Sequence, residues 1–296
     1  MTDYGRPLRF GVFVTPDVGL LENSLELAHI ADKHLDYLAV QDHPYQRRFL
    51  DAWAFMSHML LVTEHVRVLP DVANVALRNP AVMAKTAASL DVLSGGRVEL
   101  ALGAGAFWDP IVAMGGPRRT PKQAAAALRE AVEISRLMWS GQRAVWFDGE
   151  FSSLKGLHPG PRPAHPMQIW LGVGGPSLLR YVGSHADGWL PSNTYFEPDK
   201  LPGMQAKIDA GAVAAGREPG DIVRAYNVFG EIDDTESDRE FHGTVAQWVD
   251  TLTDLAIEVG IDTFIFAAPD DDAGQVRRFA TEVAPTVRDA VARRRG

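Results

Sequence analysis

The 296-residue sequence contains no cysteine, which excludes disulfide bonds, thiolate catalysis and cysteine-ligated zinc. No apolar run approaches the roughly 18 residues of a membrane-spanning helix. The start of the chain lacks the basic and apolar regions of a secretory leader. A cytoplasmic location with no membrane association is therefore expected. Basic charge is in deficit, with 29 Lys and Arg against 38 Asp and Glu and a net charge of -9. Such a chain presents no field for nucleic-acid phosphates, and Arg293-Arg294-Arg295 reads as a solvated end. Also missing are a Gly-x-Ser-x-Gly elbow, His-x-His or His-Glu-x-x-His pairs, and a phosphate loop ending in Gly-Lys-Ser/Thr. A metal-dependent barrel hydrolase is disfavoured because its ligands would need histidines on several strand ends, and His43 alone qualifies. No metal is expected. Glycoside hydrolysis would need two facing carboxylates, for which only Asp42 and Asp71 could be imagined.

What is present is an alternation. Strand-like runs fall at 8–14, 37–40, 66–72, 97–102, 168–172, 187–190, 222–228 and 262–267, each followed by a helical pattern. Asn79-Pro80, Thr120-Pro121 and Gly175-Pro176 each place a capping residue before proline at a first helical position. Gly95, Gly216 and Gly260 mark helix ends, and Val245, Trp248, Leu252, Leu255 and Val259 form one buried helical face. Eight such units in one domain, 1–296, fit an α/β fold of the TIM (β/α)8 barrel type better than an open sheet. Strand starts recur about every 30 residues for four units and then after about 70. The extra length holds a hairpin-like segment, 144–154, turning at Asp148-Gly149, and a proline-rich crossing, 158–166. This insertion between the fourth helix and fifth strand is expected to lie over the barrel mouth.

Barrel chemistry sits at the C-terminal ends of strands. Three such ends stand out: Gln41-Asp42-His43-Pro44, the run from Arg97 to Gly105, and Gly172-Val173-Gly174-Gly175-Pro176-Ser177. An imidazole at His43 can accept a proton near neutral pH while a hydride leaves the same carbon. Considered alone, an isolated histidine here would more readily be read as capping a loop. His29, His34, His58, His65 and His242 fall on helices or their ends and read as packed or solvated. Gly103 and Gly105 lack the third glycine of a dinucleotide fingerprint, so a Rossmann reading is rejected. In a barrel these glycines would let a flat ring approach the backbone. Phe107 and Trp108 then form either an aromatic wall of the substrate pocket or simple loop packing. Gly172, Gly174 and Gly175 precede a helix whose N–H groups suit an anion, with Ser177 adding a hydroxyl. Ser192-Asn193-Thr194 can reach the mouth from the sixth strand.

Taken together, these pieces resemble the luciferase-like monooxygenase superfamily of flavin- and deazaflavin-dependent oxidoreductases. The resemblance rests on Gln41 to Pro44, Leu77-Arg78-Asn79-Pro80, Leu90 to Arg97, Gly103-Ala104-Gly105, Gly172 to Pro176, Ala186-Asp187-Gly188-Trp189 and Ile208 to Arg217, in order along the whole chain. It implies a TIM-type barrel holding one flavin-like cofactor at its C-terminal mouth, and a homodimer. Asp42-His43 resembles the branch that uses coenzyme F420, which implies that His43 acts beside the reactive deazaflavin carbon; Asp42 points the opposite way if it is still strand, or contacts the cofactor if the strand has ended. The family further implies a non-proline cis peptide near Asp71-Val72-Ala73, backing the central ring, and a cofactor phosphate at the Gly172 to Ser177 turn, Val173 included. A sugar-phosphate-oxidising branch carries an acid just after the glycine pair; here that position is Ala106, and no Lys and Arg cluster for a substrate phosphate is evident.

Three functions follow as expectations. The first is an F420-dependent oxidoreductase moving hydride between a small organic substrate and the deazaflavin. The second is an FMN-dependent monooxygenase using reduced flavin and oxygen, which needs a dry pocket and a separate reductase. The third is a non-catalytic flavin- or deazaflavin-binding protein on the same barrel.

Overall fold

The computed structural model describes residues 3–296. In chain order the strands are β1 (Arg9–Val14), β2 (Tyr37–Val40), β3 (Arg67–Pro70), β4 (Ala73–Asn74), β5 (Leu100–Gly103), β6 (Val145–Asp148), β7 (Ser153–Leu157), β8 (Ile169–Leu171), β9 (Gly188–Trp189), β10 (Val223–Phe229), β11 (Glu231–Ile232), β12 (His242–Gly243) and β13 (Thr263–Ala267). The helices are α1 (Leu21–His34), α2 (Ala52–Val62), α3 (Pro80–Ser94), α4 (Trp108–Ala113), α5 (Pro121–Trp139), α6 (Pro176–His185), α7 (Leu201–Ala214), α8 (Val245–Asp254), α9 (Ala273–Arg278) and α10 (Ala284–Arg295). None of the described helices is long and apolar enough to cross a membrane.

Parallel pairing runs in the order β3-β2-β1-β13-β10-β9-β8-β5-β4, so β3 and β4 are the two halves of one barrel position. Val68 N–H donates to the Arg97 carbonyl at 2.8 Å and Glu99 N–H to the Val68 carbonyl at 3.2 Å, which closes the ring between β3 and the chain entering β5. The (β/α)8 barrel expected from the alternation is therefore the observed fold. Strand side chains alternate between two cores because successive residues point to opposite faces. Phe13, Leu69, Trp170 and Ile265 fill the barrel. Phe10, Val12, Val68 and Phe264 face the surrounding helices.

Local chemistry sets the helix boundaries as read. Asn79 Oδ1 accepts from the Ala81 and Val82 N–H groups at the head of α3, and Thr120 and Gln123 form a reciprocal capping box on α5. Gly95 ends α3 at φ +72°, and Gly260 closes the helical turn after α8 at φ +84°, left-handed positions that suit glycine.

The insertion does not lie over the mouth. The hairpin β6–β7 packs Phe147, Leu154 and Leu157 against Ala84 of α3 with Ile134 and Met138 of α5, on the outer flank of the barrel. Its loop, Gly149 to Ser152, is held there by Glu130 of α5, whose carboxylate accepts from the Glu150, Phe151 and Ser152 N–H groups at 2.7 to 3.2 Å. The returning proline-rich segment is latched at the opposite end of the barrel. His165 lies 2.9 Å from Asp91 Oδ1 and 3.2 Å from Glu99 Oε1, both carboxylates fully buried. The hydrogen bond to Glu99 holds the His165 pKa above its usual value against the opposing effect of burial, with Asp91 adding to the rise. A folded-state pKa raised in this way contributes stability that is complete in acid and lost as pH rises through it. His165→Ala is accordingly expected to lower the melting temperature more at about pH 5.5 than at about pH 8.5, as a pair of thermal scans would read.

Candidate active site

The C-terminal ends of the barrel strands open into a cleft of about 780 Å³, within the range of small-molecule sites. It is mostly apolar, with aromatic walls from Phe13, Tyr45, Phe107, Tyr195, Phe196 and Phe229, and no lysine or arginine is among its described lining residues. Of the candidate site residues, Asp42, His43, Asp71, Val72, Gly103, Gly105, Phe107, Gly172, Val173 and Gly174 line it.

His43 follows β2 and is held on three sides. Its Nδ1 lies 3.1 Å from Gln41 Nε2, its ring stacks on Tyr45 at 5.4 Å between centroids, and Phe107 meets it edge-on at 5.3 Å. Burial pushes its pKa below the usual histidine value, with the Asp42 carboxylate opposing, so the imidazole is neutral through the neutral pH range. With the Gln41 amide donating to Nδ1, the proton resides on Nε2. Turned over, the same amide accepts from Nδ1–H and leaves Nε2 as the base. Both proton directions are thus open to one fixed ring.

Asp42 lines the cleft beside His43, but its carboxylate is engaged by the protein itself. Its carboxylate turns into the protein, accepting from the Asn74 N–H at 3.0 Å and from Arg78 Nη2 at 3.1 Å. Arg78 also reaches Asp51, the side-chain cap of α2, at 2.7 Å. Asp42 thereby ties the end of β2 to the loop after β4, directly behind His43.

The peptide bond between Asp71 and Val72 is cis, at the position the family resemblance indicated. Val72 projects into the barrel mouth, where its methyls occupy the space that a Cβ at Gly103 (2.5 Å) or Gly172 (3.1 Å) would need. These two glycines therefore admit Val72 first. Gly174 similarly makes room for the Phe196 ring, 2.0 Å from where its Cβ would stand.

Four of the expected residues do not line the cleft. Ala73 lies one residue beyond Val72, so strand alternation sends it into the layer between barrel and helices. Trp108 begins α4, and the helical turn carries its ring away from Phe107 to pack behind Gly105. Gly175 is the cap of α6, and Ser177, on its first turn, points outward to accept from Arg129 Nη2 at 2.5 Å. Among the described residues no side chain caps α6, which leaves its leading N–H groups available to an anion beside Gly174, with Arg129 close by.

Sequence reasoning missed Tyr45, Asn74, Tyr195, Phe196, Asn227 and Phe229 among the lining residues, while Ser192 and Thr194 reach it as expected. Asn193 instead staples the rim, its Nδ2 donating to the Phe229 carbonyl at 2.9 Å. Asn227 carried a usable signal: a polar residue near the end of the otherwise apolar β10. Its Nδ2 donates to Asp71 Oδ1 across the barrel at 3.1 Å and to Ser192 Oγ at 3.1 Å.

A barrel with its cleft and a strand-end histidine at the C-terminal mouth defines an enzyme of the TIM-barrel class. Residues 8–284 match the family model described as luciferase-like monooxygenase, and the chain belongs to that family. It is 28% identical over 236 residues to an F420-dependent glucose-6-phosphate dehydrogenase of Kineococcus radiotolerans, covering 76% of this chain and 68% of that one. It is 29% identical over 210 residues to a 5,10-methylenetetrahydromethanopterin reductase of Archaeoglobus fulgidus, covering 71% of this chain but only 60% of the relative. Among solved structures, an F420-dependent secondary alcohol dehydrogenase in complex with an F420–acetone adduct superposes with a TM-score of 0.84 at 22% identity, over 95% of this chain and 99% of the other. The oxygenating constituent of 3,6-diketocamphane monooxygenase from Pseudomonas putida, in complex with FMN, superposes at 0.76 with 17% identity over 95% and 99%. These relatives and neighbours are oxidoreductases.

Proposed function

We propose that the protein is an F420-dependent oxidoreductase acting on a small, weakly polar alcohol or carbonyl compound. The observation that carries this reading is the convergence of a neutral, clamped His43 with the ends of the third, fourth and fifth barrel positions on one aromatic cleft. The F420-dependent relatives support the choice of cofactor.

The residues present fit such a group. Val72 and the backbone at Gly103 and Gly172 give a smooth apolar shelf for a flat ring, and the uncapped start of α6 with Arg129 suits the phosphate end. Bound there, the deazaflavin would supply a two-electron hydride acceptor or donor at its central ring. His43 takes the hydroxyl proton of an alcohol as its carbon loses hydride, or returns a proton to the carbonyl oxygen in the reverse direction. That leaves charge balanced at the substrate. Gln41 holds the ring through either exchange, and Tyr45 and Phe107 exclude water around it.

The substrate departs from a sugar phosphate. Ala106 replaces the acid of that branch, and the absence of lysine and arginine from the described lining leaves a substrate phosphate without a partner. Tight binding of F420 over FMN by the purified protein, followed as fluorescence quenching, is the expected result. Preference for FMN with oxygen consumption would replace this reading by the monooxygenase one.

A further inference from the structure

We propose that Asp71 and Asn227 form a proton-coupled docking point for the bound ring, Asp71 donating an O–H to a ring carbonyl while Asn227 Oδ1 accepts from the adjoining ring N–H. The inference rests on the cofactor site proposed above and concerns side chains to which that reading gives no role.

Asp71 closes the third barrel position and Asn227 lies near the end of β10, so the pair spans the floor of the cleft. Asp71 is 8% exposed and Asn227 1%. Both Asn227 amide hydrogens are engaged, toward Asp71 Oδ1 and Ser192 Oγ. Two atoms are left over: Asp71 Oδ2 and Asn227 Oδ1 are buried with no partner among the described residues. Folded proteins rarely bury such atoms unpaired, and two together on the floor of a ligand-sized cleft point to a ligand that completes them.

The chemistry of the pair selects the ligand edge. The other ionisable lining groups are Asp42, His43, Tyr45 and Tyr195; Arg67, at the start of β3, is engaged by Glu99, and Arg78 by Asp42 and Asp51. From β5, β8 and β10 the lining residues are uncharged. Burial without a cationic partner pushes the Asp71 carboxyl up to about 7, only partly offset by the Asn227 hydrogen bond. Near neutral pH a proton is therefore available on Oδ2. One donor beside one acceptor complements a carbonyl adjoining an N–H, the lactam or imide edge found on the pyrimidine part of flavins and deazaflavins. Both cofactors carry that edge, so the pair anchors either and discriminates against rings lacking it.

The test is titration of F420 and of FMN into the wild-type protein and Asp71→Asn between about pH 6 and 8.5, with calorimetry in two buffers of different ionisation enthalpy. Wild-type affinity is expected to fall about 30-fold across that range on account of Asp71, with close to one proton taken up at about pH 8. Asp71→Asn presents a permanent donor and should lose that part of both effects. Ionisations of the ligands themselves are common to both proteins and cancel in the comparison. Should the variant fail to fold, infrared difference spectra of the wild-type complex at about pH 8 must show a protonated carboxyl, and carboxylate bands alone overturn the inference. Binding with equal pH slope and equal proton uptake in both proteins overturns it while leaving the cofactor site standing. Failure of both ligands to bind the wild type at any pH overturns the site and this inference together.

Discussion

His43→Ala is expected to lower turnover by about 10² to 10⁴-fold, the range for loss of a positioned acid or base, while the cofactor dissociation constant changes only a few-fold. The split follows from where the ring stands. Its contacts are Gln41, Tyr45 and Phe107, all on the wall of the cleft, whereas the shelf and the start of α6 that would hold the cofactor are built by other strands. The pH profile gives a second handle. Because burial depresses the histidine pKa, alcohol oxidation should hold its rate down through the usual histidine range and fall only below it, as the ring becomes cationic and can no longer accept a proton. Gln41→Ala should keep turnover in part but shift that profile, since Nδ1 loses its partner and the tautomer is no longer set by the amide. Steady-state rates across pH for the three proteins, beside a cofactor titration, separate these outcomes. Unchanged turnover in His43→Ala would remove the proposed proton role.

Much of this site was legible from the sequence because its signals are local. A cap followed by proline at Asn79-Pro80 or Gly175-Pro176 fixes where a helix begins, and hence where the preceding strand must have ended. The position of the cis bond was legible only by its distance back from Arg78-Asn79-Pro80 in the family pattern. Errors arose where direction, not position, mattered. Phe107 and Trp108 are neighbours in the chain, but α4 starts at Trp108 and rotates the two rings apart. Ser177 was correctly placed at a helix start and then faced Arg129 of α5, an interaction between residues 48 apart in sequence. Tyr195, Phe196 and Asn227 reach the mouth only once the barrel has closed. The hairpin illustrates the same limit. Its strands were visible, but its destination was decided by Glu130 and an apolar patch on two helices, which no local pattern announces.

Arg78→Met is expected to destabilise the fold by about 3–5 kcal/mol, the cost of stranding one member of a buried ion pair. The Asp42 side chain is fully buried and Arg78 is 21% exposed. With Arg78 gone, the Asn74 N–H at 3.0 Å is the remaining hydrogen-bond donor to that carboxylate among the described residues. Arg78 further bridges to Asp51 and lies 5.7 Å over the Trp53 ring, so the change also weakens the start of α2. Lysine is a poor substitute because an ammonium cannot present the fork that serves Asp42 and Asp51 at once. Removing the carboxylate as well, in Arg78→Met with Asp42→Asn, should restore part of the loss, since a neutral amide is far cheaper to bury than a lone charge. Denaturant midpoints of the single and double variants measure this coupling. The same proteins decide between two roles for Asp42. If its carboxylate acts by holding the end of β2, Asp42→Asn lowers stability, and what cofactor affinity it loses tracks that change. If it touches the cofactor instead, affinity falls while the denaturant midpoint stays where it was, and the placement of Asp42 behind His43 as a purely structural tie is wrong.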